Sequence, residues 1–489
     1  MSNSPLVDDV TNRWEMILSS CKATFVFVGL LIGTGCSNLD PWSEMRKAPA
    51  APGTVSSARP ASEPVISRPS GLAGRKLTLA QSIVLALENN PQTASSWQAA
   101  WAAAARVGQA KSGYLPTVGF ASSAARGSPA ELDANADAGV QNTFDAVFGV
   151  RYLLFDGGGR EARVHGAAAE LLAANFRHNA VLQDVALSVE EGYYDLLAAQ
   201  RLKEVAIETV RQRDYHVQIA EARHRTGLVA KSDVLKAQTE KADAALGLVQ
   251  AENAVLLARG RLASAMGLRV SEPFEIADVP DTDHRQELAD IESLLDEAAK
   301  NRPELQGALA QIDIQRAGVK AAEARFWPAL SFDTGIGWLG RTFFPSQDLW
   351  NVGAALDAPL FTGFDRTYQL HRAKADLAKA VADQRSVLQG VELEVWTAYW
   401  QIIESSQAVE AASRFVASAE ESARVAEGEY KNGTGFIIEL IDAQTARTAA
   451  RTRLIEARLD WYTAMARFER AVGRTMAASE VIVKEKVKP

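Results

Sequence analysis

Cysteine is almost missing from this chain of 489 residues: there are two, Cys21 and Cys36, both near the N-terminus. The rest can hold neither a disulfide framework nor a cysteine-bound metal. The six histidines are scattered, with no pair at ligand spacing, so no metal site and no cofactor is expected. No basic stripe with interleaved aromatics exists, and the net charge is −8, so nucleic acid is not an expected partner. There is no nucleophile elbow and no phosphate loop: Gly157-Gly158-Gly159-Arg160 lacks the Lys-Ser/Thr that would follow such glycines. No enzyme is expected. That glycine run reads instead as a flexible joint between a strand and a helix.

Long apolar runs are equally scarce. Ala23 to Ile32, preceded by Lys22, is too short for a membrane helix and suits a signal-peptide core. Residues 1–35 are read as that peptide, with Met16 as an alternative start that removes the acidic Asp8, Asp9 and Glu15. Cys36, after Thr34-Gly35, resembles a bacterial lipoprotein processing site, although Gly33 stands where leucine is usual. Cys36 is the expected lipidation site; ordinary cleavage nearby is the alternative. Residues 36–75, rich in Pro, Ala and Ser, are expected to form a lipid anchor and flexible linker.

What the chain does have is a duplicate of itself. Asn89-Asn90-Pro91 returns as Asn301-Arg302-Pro303, an offset of 303 − 91 = 212. Tyr114-Leu115-Pro116 returns as Phe326-Trp327-Pro328 at the same offset. Leu154-Phe155-Asp156-Gly157 returns as Leu360-Phe361-Thr362-Gly363, now at 363 − 157 = 206, and 206 holds through Gly267 and Gly473. The six-residue deletion lies between Pro328 and Leu360, where a surface loop tolerates it. The first repeat is assigned to residues 76–270 and the second to 290–475. Residues 271–289 link them and 476–489 form a tail.

Each repeat reads helix, helix, strand, strand, helix, helix. Thr78 is the expected cap of the first helix, and Pro91 starts a second that runs to about Ser112. The period then changes to two. Phe144, Ala146, Phe148, Val150 and Tyr152 share one face; Asp145, Gly149 and Arg151 share the other. Leu330, Phe332, Ile336 and Trp338 repeat the pattern, as do Trp350, Val352, Ala354 and Leu356. Hairpins are expected at about 115–156 and 329–361. Proline-free stretches follow, Gly158 to Arg225 and Asp365 to Lys431, each long enough for a helix of roughly 100 Å. Glycine turns end both, at Gly227 and Gly433, and helices return over about Ser232–Met266 and Ile438–Val472.

Four strands with one apolar face cannot close a barrel, and an open sheet would leave free edges. In lipid the backbone demands closure, so several chains must share one barrel. Three chains give twelve strands, with polar faces on water and apolar faces on lipid. The expected fold is therefore a mixed α and β membrane protein: a trimeric 12-stranded β-barrel, four strands per chain, continued by a long α-helical barrel and built from an internal tandem duplication.

This arrangement, with the Asn-x-Pro break, the x-x-Pro before each hairpin, the Leu-Phe-x-Gly after it and two glycine-bearing tips, resembles the TolC-type outer-membrane efflux proteins. The resemblance covers about residues 76–475. It implies a homotrimer in the outer membrane of a Gram-negative bacterium, with a long periplasmic extension. It also implies docking to a periplasmic adaptor protein and an inner-membrane transporter that supplies the energy. The chain itself would be the passive exit duct, in contact with outer-membrane lipid. A periplasmic coiled-coil adaptor, or an outer-membrane scaffold without a pore, is the competing reading.

The helix tips hold the candidate site. Glu439 and Asp442, spaced i, i+3, can share one helix face and form two acidic rings around a three-fold axis, a way to prefer cations. The resemblance places an acidic constriction at these positions. It also implies a latch from the second tip to the first, which Tyr430 and Asp233 match. Gly435 stands where the family has the latch arginine, leaving Lys431, Lys231 and Arg225 as substitutes. Thr226, Gly227 and Leu228 in the first tip, with Gly433, Thr434, Gly435 and Phe436 in the second, are the expected adaptor contacts, because turn chemistry explains the glycines but not an exposed Leu228 or Phe436.

Overall fold

The computed structural model describes residues 76–127, 141–279, 289–343 and 347–474. The proposed signal peptide, Cys36, the anchor and linker, part of the inter-repeat segment and the tail lie outside these. Among the described residues no helix is long and apolar enough to cross a membrane.

The first repeat opens with a two-residue strand β1 (Lys76–Leu77), then helix α1 (Leu79–Asn89) and helix α2 (Pro91–Ser112). Thr78 caps α1 in a reciprocal box: its hydroxyl accepts from Gln81 N–H at 3.3 Å while Gln81 accepts from Thr78 N–H at 3.2 Å. Pro91 occupies the first turn of α2, where its missing N–H costs nothing. Strands β2 (Thr117–Gly127) and β3 (Gln141–Phe155) form the first hairpin. Helix α3 (Gly159–Arg225) runs 67 residues, and α4 (Lys231–Ala265) returns. Strand β4 (Glu275–Ile276) follows. The second repeat comprises α5 (Ile291–Asn301), α6 (Pro303–Ala324), β5 (Ala329–Gly340), β6 (Gln347–Asp357), α7 (Asp365–Asn432) and α8 (Ile437–Val472). Leu360 and Phe361 fall outside β6, although their mates Leu154 and Phe155 end β3.

The four long strands make one antiparallel sheet in the order β2-β3-β5-β6, leaving β2 and β6 as free edges. Its register lines up two chemically distinct faces. Phe120, Phe148, Ile336 and Trp350 form one row across the sheet, and Val118, Val150, Thr334 and Val352 the next row of that face. On the opposite face Gly119, Gly149, Gly335 and Asn351 align, flanked by Thr117, Arg151, Asp333 and Gly353. The six-residue deletion falls between the two strands of the hairpin: Gly127 and Leu339 still differ by 212, while Gln141 and Gln347 differ by 206.

The segment assigned as a linker also has a structural role. Its strand β4 pairs in parallel with β1, and the buried Tyr193 hydroxyl donates to the Ala277 carbonyl at 2.6 Å, with the Leu77 carbonyl at 3.2 Å. Around Tyr193 pack Ile83, Val189, Leu196, Leu262, Met266 and Phe274, all from the first repeat and this segment. Each such large side chain contributes about 1.5–3 kcal/mol by burial. The second repeat has its own core of Leu294, Leu305, Val391, Val395, Ile402, Phe468 and Val472.

Candidate functional site

The long helices meet in a fixed sequence: α3 packs on α4, α7 on α8, and α3 on α8 across the repeat boundary. At the tips they share a small apolar core of Val217, Ala220, Val234, Ala237, Tyr430, Ile437, Leu440 and Ile441. The turns beyond it are closed by backbone bonds. Leu228 N–H donates to the Arg223 carbonyl at 2.9 Å and Gly227 N–H to His224 at 2.9 Å, with Gly227 at φ +78°. The Thr226 hydroxyl donates to the Arg223 carbonyl at 2.9 Å. In the second tip the N–H groups of Thr434 and Gly435 converge on the Glu429 carbonyl, at 3.0 and 3.1 Å. Turn chemistry thus consumes the glycines and threonines. Leu228, 69% exposed, and Phe436, 73% exposed, contribute nothing to either turn core.

Glu439 and Asp442 are both exposed, on the side of α8 away from the buried Ile437, Leu440, Ile441 and Gln444. Glu439 has a second duty that its sequence position did not reveal. Its carboxylate accepts the Phe436 N–H at 3.0 Å and so satisfies an otherwise orphaned donor of the α8 N-terminus.

The implied latch takes a different form. Tyr430 is buried and its hydroxyl has no hydrogen-bond partner; Asp233 is half-buried and makes no bond to it. Burial pushes the Tyr430 hydroxyl above its ordinary value, with the neighbouring Arg223 charge pulling the other way. The cation beside the Tyr430 ring is Arg223, on α3. Its Nη1 donates to the Tyr430 carbonyl at 2.6 Å and its guanidinium lies 4.7 Å from the Tyr430 ring centre. Lys431 returns the contact from α7: it sits 5.2 Å from the Tyr215 ring centre on α3 while paired to Glu427 at 2.6 Å. Two crossed cation–ring contacts therefore join the first tip to the second. No local pattern marks Arg223, because its partner lies 207 residues away.

One helical level below, polar groups replace the apolar core. Arg213 donates to the Thr445 hydroxyl at 2.9 Å and pairs with Glu240 at 3.4 Å. His216 beside it is held down to about 4, chiefly by burial and then by the Arg213 charge, so it is neutral at ordinary pH. At the other end of α3, Gly157 of the glycine joint is packed against the second repeat, while Gly158 has open space around it. A Cβ on Gly157 would lie 2.5 Å from Trp327 Cβ. Arg160 fixes the joint: it donates to the Leu154 carbonyl at 2.9 Å and lies 5.0 Å from the Tyr114 ring centre. Its repeat mate Arg366 (160 + 206) donates to the Pro359 carbonyl at 2.8 Å. Among the described residues no cluster of His, Cys, Asp or Glu could hold a metal ion.

A two-faced sheet with free edges, running into two helices of roughly 100 Å, each paired with a returning helix about half as long, fits an outer-membrane transport channel. The chain belongs to the outer membrane efflux protein family, which it matches over residues 82–268 and 294–474. It is 30% identical over 385 residues to Protein CyaE of Bordetella pertussis, covering 77% of this chain and 80% of that protein. It is 23% identical to the outer membrane protein TolC of Vibrio cholerae, over 83% of this chain and 92% of that one. Its fold matches the crystal structure of the outer membrane protein VceC from Vibrio cholerae with a TM-score of 0.72 at 20% identity, covering 81% and 96% of the two chains.

Proposed function

We propose that this chain works as a homotrimer, forming the outer-membrane exit duct of a tripartite efflux or secretion system. A periplasmic adaptor binds its helix tips, and an inner-membrane transporter drives cargo into it. The observation that carries this reading is the sheet, whose two faces differ and whose two edges are unpaired. Lipid leaves no backbone donor unsatisfied at low cost, so β2 and β6 must pair with other copies. The polar face then lines water.

Passage is gated at the tips. Glu439 and Asp442, repeated three times, favour cations at the narrowest level. The contacts of Arg223 and Lys431 with the tyrosines hold the first and second tips of each chain together. Leu228 and Phe436 offer the adaptor an apolar contact.

Single-channel conductance in a planar bilayer tests the duct and the gate. The variant is Glu439→Gln/Asp442→Asn, because glutamine keeps an oxygen for the Phe436 N–H while removing charge. The expected result is a small cation-selective conductance that loses its selectivity in the variant. Inserted protein without conductance would overturn the duct in favour of the scaffold. A pore whose selectivity is unchanged would overturn the acidic gate alone.

A further inference from the structure

The first repeat ties its two ends together. Strand β1 stops at Leu77, directly before the Thr78 cap of α1. It pairs in parallel with β4, whose Glu275 and Ile276 stand eight (275 − 267) and nine (276 − 267) residues past the turn glycine Gly267. Leu77 and Ile276 are buried, and the Ala277 N–H donates to the Leu77 carbonyl at 2.8 Å. The Tyr193 hydroxyl holds the ladder from below, through the carbonyls of Ala277 and Leu77.

The second repeat keeps the platform for such a ladder. Val189, Leu196, Leu262 and Met266, which pack around Tyr193, return at an offset of 206 as Val395, Ile402, Phe468 and Val472, all buried in the second core. Tyr193 itself returns as Tyr399 (193 + 206). Tyr193 is 1% exposed; Tyr399 is only half-buried, and its hydroxyl makes no hydrogen bond to a described residue. The carbonyls that would face it belong to the mates of Leu77 and Ala277, which are Ala289 (77 + 212) and Val483 (277 + 206). Ala289 is exposed, and it precedes the Asp290 cap of α5 as Leu77 precedes Thr78. Val483 lies in the tail beyond Arg474, outside the described residues. That tail reads Glu480-Val481-Ile482-Val483-Lys484, three β-branched residues between charges. Val481 and Ile482 stand eight (481 − 473) and nine (482 − 473) residues past Gly473, the spacing of Glu275 and Ile276 past Gly267. Glu480 replaces Phe274, so the apolar content lies one residue later.

We propose that residues 481–483 of the tail dock on the second core of the same chain, as a short parallel strand beside residues 288–289. The occupant follows from reach and register. Helix α8 ends at Val472, itself buried in that core, and the span from Gly473 to Ile482 equals the span that β4 already bridges in the first repeat. Ile482 then lies over Val395 and Ile402, as Ile276 shares a core with Val189 and Leu196. The Val483 N–H donates to the Ala289 carbonyl, and the Tyr399 hydroxyl donates to the Val483 carbonyl, which ends its isolation in a half-buried site. The docked tail clasps the start of α5 to the end of α8. This contact lies within one chain and depends neither on the homotrimer nor on conduction.

The scarcity of cysteine makes the test direct. In the first ladder Lys76 pairs with Glu275, and both are exposed. Their mates are Leu288 (76 + 212) and Val481 (275 + 206), so cysteines there leave the buried contacts alone. Full-length protein carrying Leu288→Cys with Val481→Cys is treated, in outer membranes, with a short bis-maleimide. Its monomer band is then digested and read by mass spectrometry. The two peptides should be linked, at a yield close to that of Lys76→Cys with Glu275→Cys, which reports an intact fold and a working reagent. Lys76→Cys with Val481→Cys should give no link. If the first-ladder pair links and the Leu288–Val481 pair does not, the docking is overturned. Linkage of Val481 to Lys76, or linkage found only between two chains, would overturn the assigned partner. A second measurement reads the hydroxyl. Tyr399→Phe should lower the unfolding midpoint of the full-length protein in detergent, and should lower it no further once Ile482→Asp has displaced the tail. Equal shifts in both backgrounds would overturn the bond from Tyr399 to the tail.

Discussion

Arg302 donates a hydrogen bond from Nη1 to the carbonyl oxygen of Ala471 at 3.2 Å. Its repeat mate Asn90 (302 − 212) donates to the carbonyl of Ala265 (471 − 206) at 2.9 Å. The residue before each proline therefore caps the end of the returning helix, where carbonyls have no partner of their own. Arg302 goes further than Asn90. It also pairs with Glu304 at 2.9 Å and Glu394 at 2.7 Å, and it is itself buried.

Removing the side chain leaves those partners stranded. Arg302→Ala should cost about 3–5 kcal/mol, the range for breaking a buried ion pair. Asn90→Ala should cost about 1 kcal/mol, one neutral hydrogen bond. Thermal or denaturant unfolding of the purified protein in detergent reads both. Equal losses would mean that Arg302 acts only as a cap.

The same helix ends predict the effect of a single methyl group. Gly267 has φ +71°, and a Cβ there would lie 2.5 Å from the Asn89 carbonyl oxygen. Gly267→Ala meets both a left-handed backbone and a rigid obstacle, so the folded protein recovered from membranes should fall severalfold. At Gly227, φ +78° with nothing within 4 Å, the same change carries only the backbone cost of about 1 kcal/mol, and yield should hold.

At the tip, Tyr430→Phe and Arg223→Ala should separate. The Tyr430 hydroxyl has no partner, so its removal should leave conductance and stability unchanged within about 0.5 kcal/mol. Loss of Arg223 removes both the bond to the Tyr430 carbonyl and the charge over its ring, and conductance should rise. A rise from Tyr430→Phe instead would show that the hydroxyl acts as the latch.

Glu190 lies on α3 and Glu469 on α8, and the charge of Glu469 reaches Glu190. Burial pushes Glu190 up to about 7, helped by the charges of Glu469 and Glu191; burial lifts Glu469 to about 7 against the pull of Arg474. The folded state therefore holds protons that the unfolded chain has released, so stability falls as pH rises from about 4.5 to about 7. His216, held down to about 4, tilts stability the opposite way as pH drops below 6.5. The informative comparison is between wild type and Glu190→Gln/Glu469→Gln. The variant should gain stability relative to wild type at pH 8 and lose that advantage at pH 5. Parallel pH curves would discard the coupling.

The elements legible in the sequence were those with a local signature. The period of two in Phe144–Tyr152, the prolines at 91 and 303 and the glycines past each helix located strands, caps and turns, although the second hairpin stops four residues short of 361. Arg160, Arg223 and Arg302 were not legible as structural residues. Each spends its charge on carbonyls or rings delivered by a distant element, and nothing in an arginine's neighbours announces that. The packing at Gly157 was hidden for a similar reason: a glycine run does not announce the Trp327 that the other repeat lays against it. Glu439 showed only its acidic character, while its bond to the Phe436 N–H depended on where α8 began.

The small parallel ladder between β1 and β4, tied by Tyr193, bears on how such a chain came to exist. It draws the start of the first repeat to the segment that ends it, and the core around Tyr193 is complete by residue 279. The second core uses only residues from 294 onward. A polypeptide emerging from a secretion machine could thus finish one half before the other arrives. Each half thus carries a core built from its own residues, and what the halves share is the sheet and the seam of α3 and α8.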